Sequence, residues 1–401
     1  MVAPVQMFAY LRDVMRPSCS TITFDEPGSR GEIRGSELGP HRTTRPPALL
    51  SLVLVVLVVS GLGGWALGTH WRHPAGNLCQ GNSASAPRPT KLMVIVGENE
   101  SQSKVSAAVS PFEQNVLSAQ CGSLRNMHAL THGSEPNYLG MTSGGYPNWA
   151  LCDLPPNTID GDCAQSPSSQ ISGSSVFGQL AVARGAAGWR TYAGSMPTPC
   201  SLVDATKYKA STGEIRYKYV ARHNPAVYYR DLTSCAADDV ALGNSRTMKG
   251  AFYSDARAGK LPMVSFVIPD NIDNGHDTTL TTFDNFLSRT LGFLSTTPDY
   301  RSGALEVIVT FDEGTVTAGS HASTGENCLN PQPVSSTPSC VMAAWVVGRY
   351  VPNISDTTFE SHYSVLKTIE LWAGLPLLGH AADAGTHAID QRLIPSAAPA
   401  G

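Results

Sequence analysis

The chain has 401 residues, of which 42% are hydrophobic and 15% charged, so it can bury the core of one large domain with appendages. Its formal net charge is -4. Proteins that bind nucleic acid usually carry a basic patch, and this charge balance therefore disfavours nucleic acid as a partner.

The N-terminal part divides into two segments. Residues 1–47 mix charged and polar residues with Gly and Pro, which predicts a disordered leader. Residues 48–68 contain no charged side chain and are long enough to cross a bilayer as a helix. They could instead be the apolar part of a signal peptide, which would leave a secreted protein, but they begin late and lack a nearby small-residue cleavage site. We therefore expect a retained anchor.

The arginines that flank this span predict its orientation. More of them precede it than follow it, namely Arg30, Arg34, Arg42 and Arg45 against Arg72 and Arg88. By the positive-inside rule the leader is then cytoplasmic and the larger part of the chain extracellular, as in a single-pass cell-membrane protein.

The cysteines agree with an exported domain. One of the nine, Cys19, precedes the apolar span, and the remaining eight form no C-x-x-C pair, which disfavours a zinc ribbon or a thioredoxin-like motif. An even number fits a compartment that permits disulfides. About 105 connectivities are possible, and the simplest joins neighbours: 79–121, 152–163, 200–235 and 328–340.

Residues 69–90 are rich in small and polar residues and are expected to form a linker, and residues 391–401 a tail. Between them, four apolar runs predict strands that are buried on both faces: 92–96, 263–268, 305–311 and 341–348. Helices are predicted at 174–186 and 361–374. The alternation predicts an α/β fold with a central, mostly parallel sheet flanked by helices.

Polar residues follow two of these strands directly. Glu98 and Asn99 come after the first, and Asp312 and Glu313 after the third. Ligands bind beyond the carboxyl ends of strands in open α/β sheets, and carboxylate and amide oxygens suit divalent cations such as Mg²⁺, Ca²⁺ or Mn²⁺. Each acid alone could instead cap a helix or face solvent in a turn.

Ser134, in the stretch HGSEPNYLGMTSG, has two interpretations. A Ser shortly before Pro is typical of a helix start, where its oxygen caps backbone N–H groups. At the same place a hydroxyl beside a metal would be a nucleophile, and the helix N-terminus would favour an anion.

Histidines supply candidates for proton transfer. His276 and His223 are the first choices because an imidazole donates or accepts a proton near neutral pH, whereas His132 and His362 are weaker candidates. Asp270 is interpreted as a turn residue.

Seven collinear segments carry a family resemblance, which covers Lys91 to Pro376: VIVGENES, HGSEPNYLGMTSG, GWRTYAGSMP, RHNPAVYY, SFVIPDNIDNGHD, VTFDEG and HYSVLKTIELWAGLP. Together they resemble the phosphoesterase family of bacterial acid phosphatases and phospholipases C, within the alkaline-phosphatase-like superfamily. The resemblance implies an alkaline-phosphatase-like catalytic domain over residues 91–390.

The resemblance also implies roles for the site residues. Glu98, Asn99, Asp312 and Glu313 would hold a divalent metal together with Ser134, the nucleophile, and the choice among Mg, Ca, Mn and Zn stays open. His223 and His276 would contact phosphate. Four further residues are expected to contact the substrate: Asn137, Asp273, Asp277 and His132.

The expected activity is metal-dependent hydrolysis of phosphate monoesters through a phosphoserine. The region after Pro376 is too short for the extra domains of many phospholipases C, which favours an acid phosphatase acting on a phosphorylated small molecule. Two alternatives remain: a phospholipase C-like phosphodiesterase acting on phospholipid headgroups, and an inactive surface-anchored binding module.

Overall fold

Strands and helices alternate along the described part of the chain. The structure, a computed structural model, describes residues 77–81, 86–145, 169–315, 328–329 and 338–395. The strands are β1 Lys91–Gly97, β2 Gly122–His128, β3 Trp189–Ala193, β4 Ala205–Lys209, β5 Ile215–Tyr219, β6 Asp239–Ala241, β7 Val264–Ile268, β8 Leu305–Phe311, β9 Val341–Gly348, β10 Ser355–Asp356 and β11 Glu360–Ser361. The α-helices are α1 Ser118–Gln120, α2 Ser134–Ser143, α3 Val176–Arg184, α4 Cys235–Asp238, α5 Ala251–Arg257, α6 Leu280–Leu294, α7 Pro298–Ser302 and α8 His362–Ala373.

One large sheet contains nine of the described strands, in the order β10-β2-β9-β8-β1-β7-β3-β6, with β11 also paired to β2. The pairs of β1 with β7 and β8, of β3 with β6 and β7, and of β2 with β10 and β11 are parallel. Strand β9 runs antiparallel to both of its neighbours, β2 and β8. The carboxyl ends of the other strands therefore meet at one edge, as the predicted mostly parallel sheet requires.

The four predicted strands are confirmed as β1, β7, β8 and β9. Nearly every residue in them is buried, because helices cover both faces of a sheet of this kind. Both predicted helices are also present, slightly shorter than expected, as α3 and α8. Phe177 of α3 packs its ring 4.7 Å from Trp189 and 5.2 Å from Phe266, which attaches the helix to the sheet.

Strands β2, β3 and β6 were not predicted as strands. Strand β2 contains Arg125 and Asn126 in its middle, and β3 contains Arg190 and Thr191, so neither is a continuous apolar run. Their burial depends on neighbours distant in sequence, and the local pattern alone could not reveal it.

Three of the four predicted disulfides are confirmed: Cys79–Cys121, Cys200–Cys235 and Cys328–Cys340. The predicted bond between residues 152 and 163 lies outside the described residues. Leu78 and Cys79 are buried although they fall within the expected linker, as are Leu393 and Ile394 within the expected tail. Packing onto the domain therefore continues beyond residues 91–390 on both sides.

No helix among the described ranges is both long and apolar enough to cross a membrane. The expected leader and the apolar span 48–68 lie outside these ranges.

Candidate active site

Two adjacent parallel strands bring Glu98 and Asp312 together. Strands β1 and β8 pair with Gly97 opposite Phe311, so the next residue of each strand leaves the sheet at the same level. The Asp312 N–H donates to the Gly97 carbonyl at 3.0 Å. A Cβ atom on residue 97 would lie 2.6 Å from the Phe283 ring, so only glycine fits this close approach.

Asn99 faces both carboxylates. Its backbone has φ 57°, in the left-handed region, and its N–H donates to Asp312 Oδ1 at 3.1 Å. Its side-chain amide lies 3.1 Å from Asp312 Oδ1 and 3.2 Å from Glu98 Oε2. When the amide nitrogen faces the carboxylates, it donates to both of them. When the amide oxygen faces them, this oxygen and one oxygen each of Glu98 and Asp312 converge as ligands do around a cation.

Ser134 is the first residue of α2 and does not cap that helix. The N-cap position is Gly133, with φ 124°, and it has no side-chain cap. The Ser134 hydroxyl instead donates to Glu98 Oε2 at 3.3 Å. The geometry therefore favours the nucleophile interpretation over the helix cap.

Tyr138 is a site residue that the sequence analysis missed. Its hydroxyl donates to Glu98 Oε1 at 2.5 Å, whereas Ser134 uses the other oxygen of the same carboxylate. The two residues are four positions apart on α2, so they lie on the same face of the helix. That i, i+4 spacing is the signal by which the sequence could have identified Tyr138.

The carboxylates of Glu98 and Asp312 are fully buried, and no lysine or arginine within the described ranges pairs with either of them. Burial, followed by the charge of Asp312, raises the pKa of Glu98 well above its ordinary value. Burial, followed by the charge of Glu313, raises the pKa of Asp312 to about 7. The pair thus holds negative charge that a proton or a bound cation would stabilise.

Glu313 faces the loop that precedes the serine. Its Oε2 lies 3.1 Å from His132 Nδ1 and accepts the Gly133 N–H at 2.8 Å. Glu313 is still close enough to raise the pKa of Asp312. It therefore belongs to the same acidic centre while fixing the residue before Ser134. His132 is buried against Glu313, and its contact with substrate stays a prediction.

His223 approaches Glu98 Oε1, the carboxylate oxygen that Ser134 does not contact. Its Nδ1 is 3.1 Å from Asn271 Oδ1 and 3.6 Å from Glu98 Oε1. Its Nε2 is buried and has no hydrogen-bond partner among the described residues. Burial, followed by the positive charge of Arg222, lowers the pKa of His223 well below its ordinary value, so this imidazole is neutral near pH 7.

His276 is adjacent to His223, with 5.5 Å between the ring centroids. Its Nδ1 lies 2.9 Å from Asp277 Oδ1, and one quarter of its side chain is exposed. The structure therefore brings both first-choice histidines to the same edge as Ser134.

Two predicted substrate contacts point elsewhere. Asn137 is fully buried, and its amide bonds the backbone of Leu130, Thr131 and Gly133, so it shapes the loop before Ser134. Asp273 contacts a separate group, formed by Ser245, Arg246 and Arg289. Asn137 therefore faces the backbone of the loop before Ser134 and Asp273 faces the two arginines, and the contact of either residue with substrate stays a prediction.

Asp270 accepts the N–H groups of Ile272 and Asp273, as its turn interpretation predicts. His362 donates from Nε2 to the Asp312 carbonyl, and burial lowers its pKa to about 4. His362 is therefore neutral and supports the backbone of Asp312.

Comparisons with known proteins match one family model and several phosphatases. The sequence model of the phosphoesterase family matches residues 93–376. A phosphate-repressible acid phosphatase from Penicillium chrysogenum is 26% identical over 259 residues, which are 64% of this chain and 53% of that protein. A phosphatidylinositol-3-phosphatase from Mycobacterium tuberculosis is 26% identical over 358 residues, 88% of this chain and 97% of that protein.

The chain thus spans about half the length of the fungal acid phosphatase that it matches. A solved structure of a protein in the alkaline phosphatase superfamily from Vibrio parahaemolyticus is 12% identical, with a TM-score of 0.43 over 76% of this chain and 72% of that chain.

Proposed function

The chain belongs to the phosphoesterase family, and on that premise we propose that it hydrolyses phosphate monoesters through a phosphoserine on Ser134. One observation carries this proposal. The Ser134 hydroxyl lies at the start of a helix with no side-chain cap and 3.3 Å from a buried carboxylate oxygen, so a nucleophile, a proton acceptor and an anion-binding helix end coincide.

The chain's own residues account for the proton movements. The Ser134 oxygen attacks phosphorus opposite the leaving alcohol and transfers its proton to Glu98 Oε2. The bond from phosphorus to the alcohol oxygen breaks, and the alkoxide takes a proton from the imidazolium Nε2 of His276. Water then attacks the phosphoserine and gives a proton to the neutral His276, while Glu98 returns its proton to the Ser134 oxygen. Phosphate is released and the enzyme is restored.

The donor set around Ser134 fits a hard divalent cation. Two buried carboxylates, an amide and a hydroxyl converge there without a lysine or arginine partner in the described part of the chain. Glu98, Asn99, Asp312 and Ser134 would hold the ion, and Glu313 is the adjacent fifth donor. When bound, Mg²⁺, Ca²⁺, Mn²⁺ or Zn²⁺ would lower the pKa of the serine hydroxyl and offset charge on the phosphoryl group.

The fungal and mycobacterial relatives described above are both named as phosphatases, which supports a monoesterase. The alternative is a phosphodiesterase that acts on lipid headgroups, which the same centre would serve because the surrounding loops decide what enters. The named activity of the mycobacterial relative favours including a phosphoinositide among the monoesters tested.

A substrate panel tests the proposal. The purified protein is assayed with p-nitrophenyl phosphate, bis(p-nitrophenyl) phosphate and phosphatidylinositol 3-phosphate, with each of the four cations in turn. We expect turnover of one or both monoesters that chelation abolishes. Hydrolysis of the diester alone would replace the monoesterase with the phosphodiesterase, and inertness with every cation would favour the binding module.

We also propose that residues 48–68 anchor the catalytic domain outside the cell membrane. The charge-free run and the arginines on its N-terminal side support this arrangement. Intact cells that express the protein should hydrolyse externally added substrate, and the activity should stay with the membranes after washing. Recovery of the activity in the medium, on a chain that lacks the run, would show secretion instead.

A further inference from the structure

A two-stranded hairpin outside the main sheet presents two different faces. Strands β4 and β5 pair with Tyr208 opposite Arg216 and Lys207 opposite Tyr217. Because side chains alternate along a strand, Tyr208 and Arg216 share one face of the hairpin, and Lys207 and Tyr217 share the other. On the second face, the Lys207 ammonium lies 5.6 Å from the centre of the Tyr217 ring.

The first face of the hairpin holds Asp277. The Tyr208 hydroxyl donates to Asp277 Oδ2, and Arg216 Nη1 donates to Oδ1 at 2.5 Å. The Arg216 guanidinium is itself held by Glu214 at 2.7 Å. The Asp277 side chain is only 2% exposed, so this carboxylate is enclosed by protein groups and is not a substrate contact, contrary to the sequence-based expectation.

The same carboxylate orients His276. Its Oδ1 lies 2.9 Å from His276 Nδ1, and a carboxylate oxygen accepts, so Nδ1 carries a proton. Burial of Asp277 opposes its ionisation, but the hydrogen bonds from Tyr208, His276 and Arg216 outweigh this effect and lower the pKa of Asp277. An ionised Asp277 beside Nδ1 fixes the orientation of the imidazole ring, so Nε2 is the ring nitrogen left to exchange a proton with the ester.

The backbone near His276 is fixed as well. The His276 N–H donates to Asn274 Oδ1 at 2.9 Å, and the Asp277 N–H donates to the Asn271 carbonyl at 3.0 Å. The Asn271 N–H in turn donates to the carbonyl of Lys218 in β5 at 2.9 Å. The hairpin thus contacts the His276 loop through its backbone and through two side chains.

We propose that the β4–β5 hairpin is the element that positions the acid for the leaving alcohol: Tyr208 and Arg216 hold Asp277, and Asp277 holds His276 with Nε2 toward the reacting ester. Tyr208, Arg216 and Asp277 are positioning residues, since they act through His276. This inference rests on the proposed phosphomonoesterase activity. It adds the residues that let the enzyme cleave esters whose alcohols are poor leaving groups.

Esters with different leaving groups test the inference. Loss of a general acid slows cleavage more when the departing oxygen is more basic, whereas other defects slow both esters alike. p-Nitrophenol leaves as a weakly basic anion, whereas glycerol leaves as a strongly basic alkoxide that needs a proton. For Tyr208→Phe, Arg216→Gln and Asp277→Asn we expect kcat/KM with glycerol phosphate, which reports the steps up to departure of the alcohol, to fall by about 10²-fold, the lower end of the range for general acids. With p-nitrophenyl phosphate we expect a loss of only a few fold.

Matched controls lie on the other face of the same hairpin. Tyr217→Phe and Lys207→Gln should leave the ratio of the two kcat/KM values unchanged, and melting curves show whether each variant is folded. Equal losses with both esters for Tyr208→Phe, or the same selective loss for Tyr217→Phe, would overturn the inference. Ser134→Ala separates the two proposals. Full activity in that variant refutes the proposed function. If that variant is inactive but the hairpin variants lose both esters equally, only the role of the hairpin is refuted.

Discussion

The hydroxyl of Ser134 lies 3.3 Å from Oε2 of Glu98, although 36 positions separate the two residues along the chain. A strand end supplies the carboxylate and a helix start supplies the hydroxyl, and the parallel sheet brings both to one edge. The orientation of that carboxylate therefore bears directly on the nucleophile.

Tyr138→Phe tests this orientation. The substitution removes the hydroxyl that holds Glu98 Oε1 at 2.5 Å, so Glu98 should lose its fixed alignment with Ser134. A hydrogen bond to a charged group contributes roughly 1.5 kcal/mol or more, which corresponds to a loss in kcat of about 10-fold. Tyr300→Phe is the control, because Tyr300 is equally buried but donates to the Leu78 carbonyl. Equal kcat values for the two variants would contradict the role of Tyr138.

Asn99→Gly tests the metal centre. Glycine accepts the positive φ of residue 99 without strain, so the change removes the amide ligand alone. We expect the wild-type chain to bind one divalent cation per molecule in calorimetric titration, and the variant to bind it about 10-fold or more weakly. Asn353→Gly, at an exposed residue whose amide donates to the Ala119 carbonyl, should bind as the wild type does. Identical affinities for all three proteins would remove Asn99 from the ligand set.

Glu306→Gln tests the pH dependence of stability. Glu306 is 8% exposed, its Oε2 has no hydrogen-bond partner among the described residues, and burial raises its pKa to about 8. In the unfolded chain this carboxyl ionises near pH 4.5, so between the two values the folded state binds the extra proton. The free energy of unfolding should therefore fall as pH rises through this window, by at most roughly 5 kcal/mol from this residue.

Urea unfolding of both proteins at several pH values between 5 and 9 measures the effect. Other buried acids contribute equally to the two proteins, so the difference between the curves isolates Glu306. The variant should lose less stability than the wild type as the pH rises. Parallel curves would show that Glu306 titrates alike in the folded and unfolded states.

The disulfides predict a ranking of stabilities. Cys79 and Cys121 are 42 residues apart, and Cys328 and Cys340 are 12 apart. By chain entropy the longer loop should stabilise by about 4 kcal/mol and the shorter by about 3 kcal/mol. Unfolding of the two double serine variants in denaturant measures both losses, and a larger loss for the 12-residue loop would contradict the entropic ranking.

The sequence was most informative where strands are continuous apolar runs. Val94 and Ile308 belong to continuous apolar runs, which are typical of strands covered on both faces. The acids that follow these strands, Glu98 and Asp312, were therefore predicted correctly to lie at the sheet edge. In the hairpin β4–β5 polar and apolar residues alternate and only one of the ten residues is buried, which gives no indication that the face with Tyr208 and Arg216 reaches the site.

Single side-chain directions were less predictable. Asp273 and Asp277 lie in one loop, and backbone turns send the first toward Arg289 and the second toward Arg216. Tyr138 was missed because a tyrosine on a helix is ordinarily a core residue, and its hydroxyl partner comes from a strand 40 positions earlier.

Direct trapping of the phosphoenzyme tests the central claim. The protein is mixed with excess p-nitrophenyl phosphate and a divalent cation, quenched in acid during turnover, digested and examined by mass spectrometry. We predict that the peptide with Ser134 gains the mass of one phosphoryl group, and that Ser134→Ala shows neither the adduct nor turnover, whereas Ser143→Ala shows both. A turnover-competent Ser134→Ala variant, or a phosphoryl group on another residue, would contradict the account.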